Sequence, residues 1–127
     1  MTRRRVSSDT AWESAVGYSR ATRVGDVVHV AGTTATDEDG EPIDGGPYEQ
    51  TLCCLDQIEN ALTEIGASIE DVTRTRLFVT NIDDWEAIGR AHADVFESIR
   101  PAATMVEVDR LIDPSLCVEI EADAICE

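Results

Sequence analysis

The sequence contains no lysine, and each of its ten basic residues is an arginine. A lysine Schiff base and a lysine general base are therefore excluded as catalytic devices. Long apolar stretches are missing too, since no window approaches about eighteen consecutive apolar residues and no apolar segment follows the basic N-terminus MTRRRVSS. We expect a soluble, cytoplasmic protein without a membrane partner. Its 127 residues suffice for one hydrophobic core, so we expect a single domain over 1–127 with residues 1–8 flexible.

Metal-binding patterns are also missing. The four cysteines, Cys53, Cys54, Cys117 and Cys126, form no C-x-x-C pair, and the two histidines lie far apart in the sequence. Vicinal cysteines on a helix point in different directions, which does not suit a shared metal ion or a disulfide. We therefore expect no metal site and four reduced thiols.

Acidic residues dominate the charge. Asp and Glu number 26 against 10 arginines, which gives a formal net charge of -16. Because 43% of the residues are hydrophobic, we interpret the chain as globular with an acidic surface. Such a surface suits a salt-rich cytoplasm, where the Debye length is roughly 3 Å at about 1 M salt, so we predict a halophilic source. Nucleic-acid binding requires a clustered basic face, and the one basic cluster is Arg3, Arg4 and Arg5, so we expect no nucleic-acid partner.

Hydrophobic periodicity predicts the element order β-β-α-β-α-β-β. A hairpin turns at Val24-Gly25-Asp26, one helix runs from Pro47 to Gly66, and another runs from Asp83 or Asp84 to just before Pro101. The strands are a first one through Arg20 and four others over 27–31, 72–80, 102–108 and 116–125, with a loop over 33–46. This order predicts an α+β fold in which both helices cover one face of a mixed sheet. In the last strand apolar residues alternate with acidic ones, so its polar face is either left to water or covered by another subunit.

Three segments carry a family resemblance: VGDVVHVAG (24–32), DVTRTRLFVTNIDDW (71–85), and RPAATMVEV (100–108) followed by VEIEADAI (118–125). With these, the chain resembles the RidA/YjgF reactive intermediate deaminase family from about residue 17 to 125. The resemblance implies a chorismate-mutase-like α+β fold, a homotrimer with small-molecule clefts between its subunits, and neither a metal nor an organic cofactor.

The resemblance also implies site residues. The deaminase branch hydrolyses enamines and imines such as 2-aminoacrylate, and it clamps the substrate carboxylate with an arginine directly after the dipeptide PA. Ala103 occupies that position here. Tyr18 matches a pocket tyrosine, and Glu119 matches the glutamate that positions the attacking water.

Three further pocket positions depart from the family pattern. Ala31, Met105 and Gly89 stand where a serine, a cysteine and an asparagine are common. A carboxylate ligand at Ala103 would face Glu119 and Glu121 without a compensating charge, which is unfavourable. We therefore predict a ligand other than 2-aminoacrylate.

Alternatives exist for the charged candidates. Arg74 and Arg76 share one face of the strand 72–80, where two guanidinium groups could bind an anion from a different wall of the cleft. They could instead pair with Glu119, Glu121 or Asp123 on a neighbouring strand or subunit. Glu119 could likewise be one of several acidic residues on an exposed strand face.

Two functions therefore fit the sequence. In the first, the protein hydrolyses or binds a small imine, enamine or related metabolite, with Tyr18 and Glu119 in the pocket. In the second, it is a non-catalytic trimeric protein that binds a small ligand or a partner on the same fold. Replacing Glu119 by alanine separates the two functions. The first predicts that turnover is lost, and the second predicts that only binding changes.

Assembly should depend on salt, because chains of charge -16 repel one another unless the repulsion is screened. In molar potassium chloride, light scattering should give about three times the chain mass of 13.8 kDa. The melting temperature should be higher there than at low salt. A persistent monomer would contradict the trimer, and a melting temperature independent of salt would contradict the halophilic source.

Overall fold

The computed structural model describes residues 2–8 and 10–127, which form six strands in one sheet and three α-helices. The strands are β1 (Arg3–Val6), β2 (Ala21–Val24), β3 (Val27–Thr34), β4 (Val72–Val79), β5 (Ala102–Glu107) and β6 (Val118–Ile125). The helices are α1 (Ala11–Val16), α2 (Pro47–Glu64) and α3 (Trp85–Phe96). Single 3-10 turns precede β4 and α3.

The strands follow the order β1-β2-β3-β6-β4-β5 across the sheet. Strands β4 and β5 are parallel, and the other neighbours are antiparallel. Helices α2 and α3 pack on each other and on one face of the sheet. The predicted fold, a mixed sheet with two long helices on one face, is confirmed.

The N-terminal segment differs from the prediction. Residues 3–6, expected within a flexible end, form β1 and pair with β2 in the register Arg3 to Val24 through Val6 to Ala21. Val6 and Ala21 are both buried in the core, which explains why this basic segment is held as an edge strand. The sequence analysis also did not predict helix α1. Of the N-terminal segment that was expected to be flexible, Met1 lies outside the described residues.

The core lies between the sheet and the two long helices. Helix α2 starts with Pro47, whose missing N–H costs nothing in the first turn, and the chain leaves it through Gly66 at a φ of 84°. Its inward face buries Gln50, Thr51, Cys54, Leu55, Ile58, Ala61 and Leu62. These side chains meet the apolar residues of β3 and β6 at the spacing that the sequence predicts.

The opposite face of the sheet is polar and carries an ion-pair network. Arg76 lies 3.0 Å from a carboxylate oxygen of Glu121 and 3.5 Å from one of Asp123. Asp123 also accepts a hydrogen bond of 2.9 Å from Nδ1 of His29. Because these side chains are partly exposed, each pair adds little to stability, and their main effect is to fix the charges of this face.

Gln50 joins the start of α2 to the segment before β6. Its side-chain nitrogen donates to the carbonyls of Gly45 and Ser115 at 3.1 and 3.0 Å, and its oxygen accepts from the Cys117 N–H at 2.9 Å. Gln50 is buried, so water cannot replace these bonds.

Gln50→Leu should therefore lower the free energy of unfolding by about 2 to 4 kcal/mol, because it leaves backbone groups buried without partners. Denaturant unfolding at constant molar salt measures the change. The control is Asn60→Leu, which replaces an exposed amide on the same helix and should change stability by about 0.5 kcal/mol or less. Equal losses in the two variants would show that the bonds of Gln50 do not hold the helix to β6.

Candidate functional site

A cavity of about 870 Å³ opens where α1, the start of β2 and the middle of β3 meet. It is lined by Ser8, Thr10, Ala11, Trp12, Val16, Tyr18, Arg20, Gly32, Thr34, Thr36, Glu38, Asp39, Gly40, Arg110, Leu111, Ile112 and Glu119. Two of these, Tyr18 and Glu119, are the residues that the sequence predicts as catalytic. The structure thus brings both predicted catalytic side chains to one cavity.

A β-bulge in β3 shapes the wall of this cavity. Val30 pairs with Ala122 and Thr33 pairs with Ile120, so Ala31 and Gly32 together oppose a single residue of β6. The hydroxyl of the buried Thr33 donates to the Ala31 carbonyl at 2.9 Å and holds the bulge in shape. The extra residue turns Gly32 toward the cavity.

Glu119 lies directly against Gly32. A Cβ on Gly32 would collide with Oε2 of Glu119, so the carboxylate occupies the space that a side chain at position 32 would fill. Glu119 is half-buried, and this burial raises the pKa of its carboxyl group. Arg20 lowers that pKa and Glu121 raises it further, so the pKa ends above its ordinary value. Such a carboxyl group accepts a proton more readily than an exposed glutamate does, as a general acid–base group must.

Arg20 lies on the same wall, just before β2. Its backbone is fixed on both sides, because its N–H donates to Val6 at 2.8 Å and its carbonyl accepts from Ala31 at 3.0 Å. Its Nη2 donates to the Gly32 carbonyl at 2.7 Å. Its Nε is buried and has no hydrogen-bond partner among the described residues. Arg20 and Glu119 therefore meet at Gly32, one at its carbonyl and the other at its α-carbon.

Tyr18 is placed by the end of α1. Gly17 leaves the helix at a φ of 87°, a left-handed conformation that favours glycine, and the Tyr18 N–H still donates to the Glu13 carbonyl at 3.1 Å. Tyr18 is 40% exposed at the cavity, next to the more exposed Trp12 and Ile112 at 58% and 71%. The cavity thus has a polar wall of Arg20, Gly32 and Glu119 and an apolar rim.

Ala103, Met105 and Gly89 lie elsewhere in the chain. On β5, Ala103 stands in register with Thr75, which is fully buried and lies 2.9 Å from Nε2 of His92 on α3. Register partners on parallel strands project to the same side, so Ala103 faces the helix side of the sheet.

Met105 projects to this same side and packs partly on the core, and Gly89 on α3 has open space where a Cβ would stand. Glu119 is in register with Phe78 on the other side. Within one chain, the predicted site residues therefore form two separate groups.

Arg74 and Arg76 do not line the cavity. Arg76 is bound to Glu121 and Asp123, the pairing that the sequence analysis gave as the alternative to anion binding. Arg74 is exposed on the same face. Glu121, one of the two carboxylates expected to repel an anionic ligand, is therefore paired with an arginine of its own chain. Ala31 lines a smaller depression of about 520 Å³ together with Arg3, Arg5, Tyr18 and His29.

The described residues contain no group of three or more histidine, cysteine, aspartate or glutamate side chains placed to hold a metal ion. Within that same part of the chain, no helix has the length and apolarity needed to cross a bilayer.

Two members of the polar wall were missed from the sequence. Arg20 was taken only as part of the first strand of the hairpin, and Gly32 fell between the predicted strand 27–31 and the predicted loop 33–46. A glycine within an apolar strand pattern often marks a bulge or a close backbone approach, and this signal could have identified Gly32. No pattern links Arg20 to it, because their contact depends on how β2 pairs with β3.

Curated relatives cover most of the chain. A Streptomyces coelicolor protein of uncharacterised function is 42% identical over 121 residues, covering 95% of this chain and 90% of its own. A 3-aminoacrylate deaminase from Acinetobacter baylyi is 32% identical over 108 residues, covering 84% of this chain and 85% of its own.

Solved structures and a family model agree with these relatives. The crystal structure of a YjgF/YER057c/UK114 family member from Mycobacterium tuberculosis is 49% identical, with a TM-score of 0.90 and coverage of 98% of this chain and 99% of that one. The model of the family described as endoribonuclease L-PSP matches residues 8–126. The chain therefore belongs to the endoribonuclease L-PSP family, which is the RidA/YjgF family that its sequence motifs indicate.

Proposed function

We propose that this protein is a cofactor-independent deaminase that hydrolyses a small reactive imine or enamine in clefts between the subunits of a homotrimer. Glu119 is the acid–base residue and Tyr18 a pocket donor. The observation that carries the proposal is the half-buried carboxyl group of Glu119, held against Gly32 at the wall of a cavity that Tyr18 also lines. The 3-aminoacrylate deaminase among the relatives supports this reaction class.

The chemistry requires one group that moves a proton twice. An enamine first tautomerises to its imine, and a water molecule then attacks the imine carbon. Glu119 accepts a proton from that water as the C–O bond forms to the protonated imine, which gives a neutral carbinolamine. Glu119 then returns the proton to the nitrogen, and the C–N bond breaks as the carbinolamine hydroxyl loses its proton, so that the protonated imine and water become a carbonyl compound and an ammonium ion. A pKa raised by burial suits this exchange, because it makes the carboxylate a stronger proton acceptor than an exposed glutamate.

The second group of predicted residues fits a trimer. Ala103, Met105 and Gly89 project to the helix side of the sheet edge, away from Glu119 of the same chain. They can line the Glu119 cavity if a neighbouring subunit presents its β5 edge there. In such a cleft each ligand touches two chains, with the acid–base group from one and an apolar wall from the other.

That apolar wall determines which imine is accepted. Ala103 offers no cation, so 2-aminoacrylate should be hydrolysed poorly if its carboxylate must bind at this wall. The pairing of Arg76 with Glu121 and Asp123 makes it a weak substitute for the missing arginine. Arg74 is unpaired among the described residues, yet it lies outside the cavity. We therefore propose a substrate other than 2-aminoacrylate.

A second candidate function is ligand binding without turnover. It is favoured by the four positions Ala31, Gly89, Ala103 and Met105, which lack the polar groups common in the deaminase branch. Cleavage of RNA, which the family description includes, is disfavoured because a chain of charge -16 offers a phosphate backbone few cations.

Glu119→Gln should abolish turnover while leaving ligand binding within a few-fold, because it keeps the shape of the side chain and removes the proton acceptor. The assay generates a panel of imines with amino-acid oxidases and dehydratases and follows ammonia release at constant salt. Glu59→Gln, an exposed change on α2, is the control and should match the wild type. Wild-type inactivity across the panel, with product analogues still bound, would support the non-catalytic function instead.

Glu119→Gln should also raise the melting temperature near neutral pH. The folded-state pKa of Glu119 lies above its ordinary value because of burial, so the folded chain holds this proton more tightly than the unfolded chain. Ionisation therefore destabilises the fold as the pH rises, and a neutral amide removes that cost. The gain should shrink as the pH falls toward the ordinary glutamate pKa of about 4.3. Thermal melts from pH 4.5 to 8 test this, and a lower melting temperature at pH 8 would contradict the burial of an ionised Glu119.

A further inference from the structure

We propose that Arg20 binds an anionic group of the ligand, in place of the arginine that is absent from position 103. This inference rests on the proposed function and narrows its substrate to a small imine or enamine, other than 2-aminoacrylate, whose carboxylate or similar oxyanion binds on the Glu119 wall and not at position 103. The anionic group then lies beside Glu119 on one wall of the cavity.

The placement of Arg20 is the first argument. Its guanidinium group lines the cavity together with Tyr18 and Glu119, and its backbone is fixed between β1 and β3. One Nη2 hydrogen bond to the Gly32 carbonyl, at 2.7 Å, orients the guanidinium plane. An arginine held in this way loses little side-chain entropy when an anion binds, which favours affinity.

The remaining donor capacity of Arg20 is the second argument. A guanidinium group has five N–H donors, and Gly32 accepts from one of them. Nε has no partner among the described residues, although burying an unpaired donor is costly. A carboxylate within reach of this group would gain charge-assisted hydrogen bonds, and a small movement of the side chain would bring Nε into the contact.

The charges around the cavity are the third argument. Arg110 on the rim adds a second cation, whereas the acidic lining residues Glu38 and Asp39 lie on an exposed loop where solvent screens them. Glu119 is half-buried on the same wall, and the nearby Arg20 partly offsets its charge, which lowers the pKa that burial raises. Arg76 is occupied by Glu121 and Asp123, so Arg20 is the better-placed arginine for a ligand in this cavity.

Binding of a matched pair of probes, propionate and propionamide, tests the proposal without requiring turnover. The two have the same shape and differ in charge. Titrations followed by NMR at constant potassium chloride should show that the wild type binds propionate at least about tenfold more tightly than propionamide. Arg20→Gln should weaken propionate binding by about ten- to a hundredfold and leave propionamide nearly unchanged. Arg20→Lys keeps the charge and should retain part of the preference.

Arg4→Gln is the matched control, because it removes one positive charge from an exposed residue of β1 outside the cavity. Arg4→Gln should leave the affinities for propionate and propionamide unchanged. If it weakened propionate binding as much as Arg20→Gln does, the effect would be one of net charge and not of a contact with Arg20. The proposal is overturned if the wild type does not prefer propionate, or if Arg20→Gln keeps the preference. It is also overturned if Arg110→Gln, and not Arg20→Gln, abolishes the preference for propionate. A third contrary result is an equal loss of affinity for both probes in Arg20→Gln and Arg20→Lys, which would indicate a structural role for Arg20. In each of these cases the turnover test on Glu119 stands, so the two proposals fail separately.

Discussion

The contact between the Glu119 carboxylate and the bare α-carbon of Gly32 is the constraint on which the site depends. Without the bulge at Ala31 and Gly32, β3 would continue in register and its backbone would not turn toward the cavity. With any side chain at position 32, the carboxylate would have to move. Gly32 has no left-handed φ, so its importance comes from space and not from backbone freedom. Arg20 binds the carbonyl of this same residue, which links the acidic and the basic group of the wall through one glycine.

The fold could be predicted from the sequence because its long elements have clear periods and clear ends. Pro47 and Gly66 bound α2 and the 3.6-residue period continues between them, while β6 alternates throughout and β4 alternates from Thr75 onward. The exceptions are short. A strand of four residues and a helix of six have too few positions to show a period, and the run of arginines in β1 hides the single core residue Val6. Tertiary pairing with β2, not local preference, makes this segment a strand.

The site could be predicted only in part, because a sequence motif gives the position of a residue in the chain but not the side of the sheet to which its side chain projects. Tyr18 and Glu119 follow from the family motifs, and the structure places them at one cavity. The direction of Ala103 depends on its register with Thr75, which no motif encodes, and this register turns it to the helix side. Arg20 and Gly32 are twelve residues apart and meet because β2 and β3 are paired, so their contact was invisible in the sequence. Contacts across strands are the information that a linear pattern lacks.

The predicted site residues lie on two sides of the sheet, which separates the proposed ligand-selecting residues Ala103 and Met105 from the proposed acid–base residue Glu119. Within one chain, a substitution on β5 at Ala103 or Met105 cannot touch Glu119, which projects to the other side of the sheet. The burial that raises the pKa of Glu119 comes from its own chain, from Gly32 and its neighbours in β3 and β6. In the proposed trimeric cleft, an alanine in place of an arginine at position 103 therefore changes what the opposite wall binds without touching the proposed proton-transfer group. The proposed binding of the anion by Arg20 would then set the charge of the ligand from the Glu119 wall, because Arg20 binds the carbonyl of Gly32, the same residue against which the Glu119 carboxylate lies.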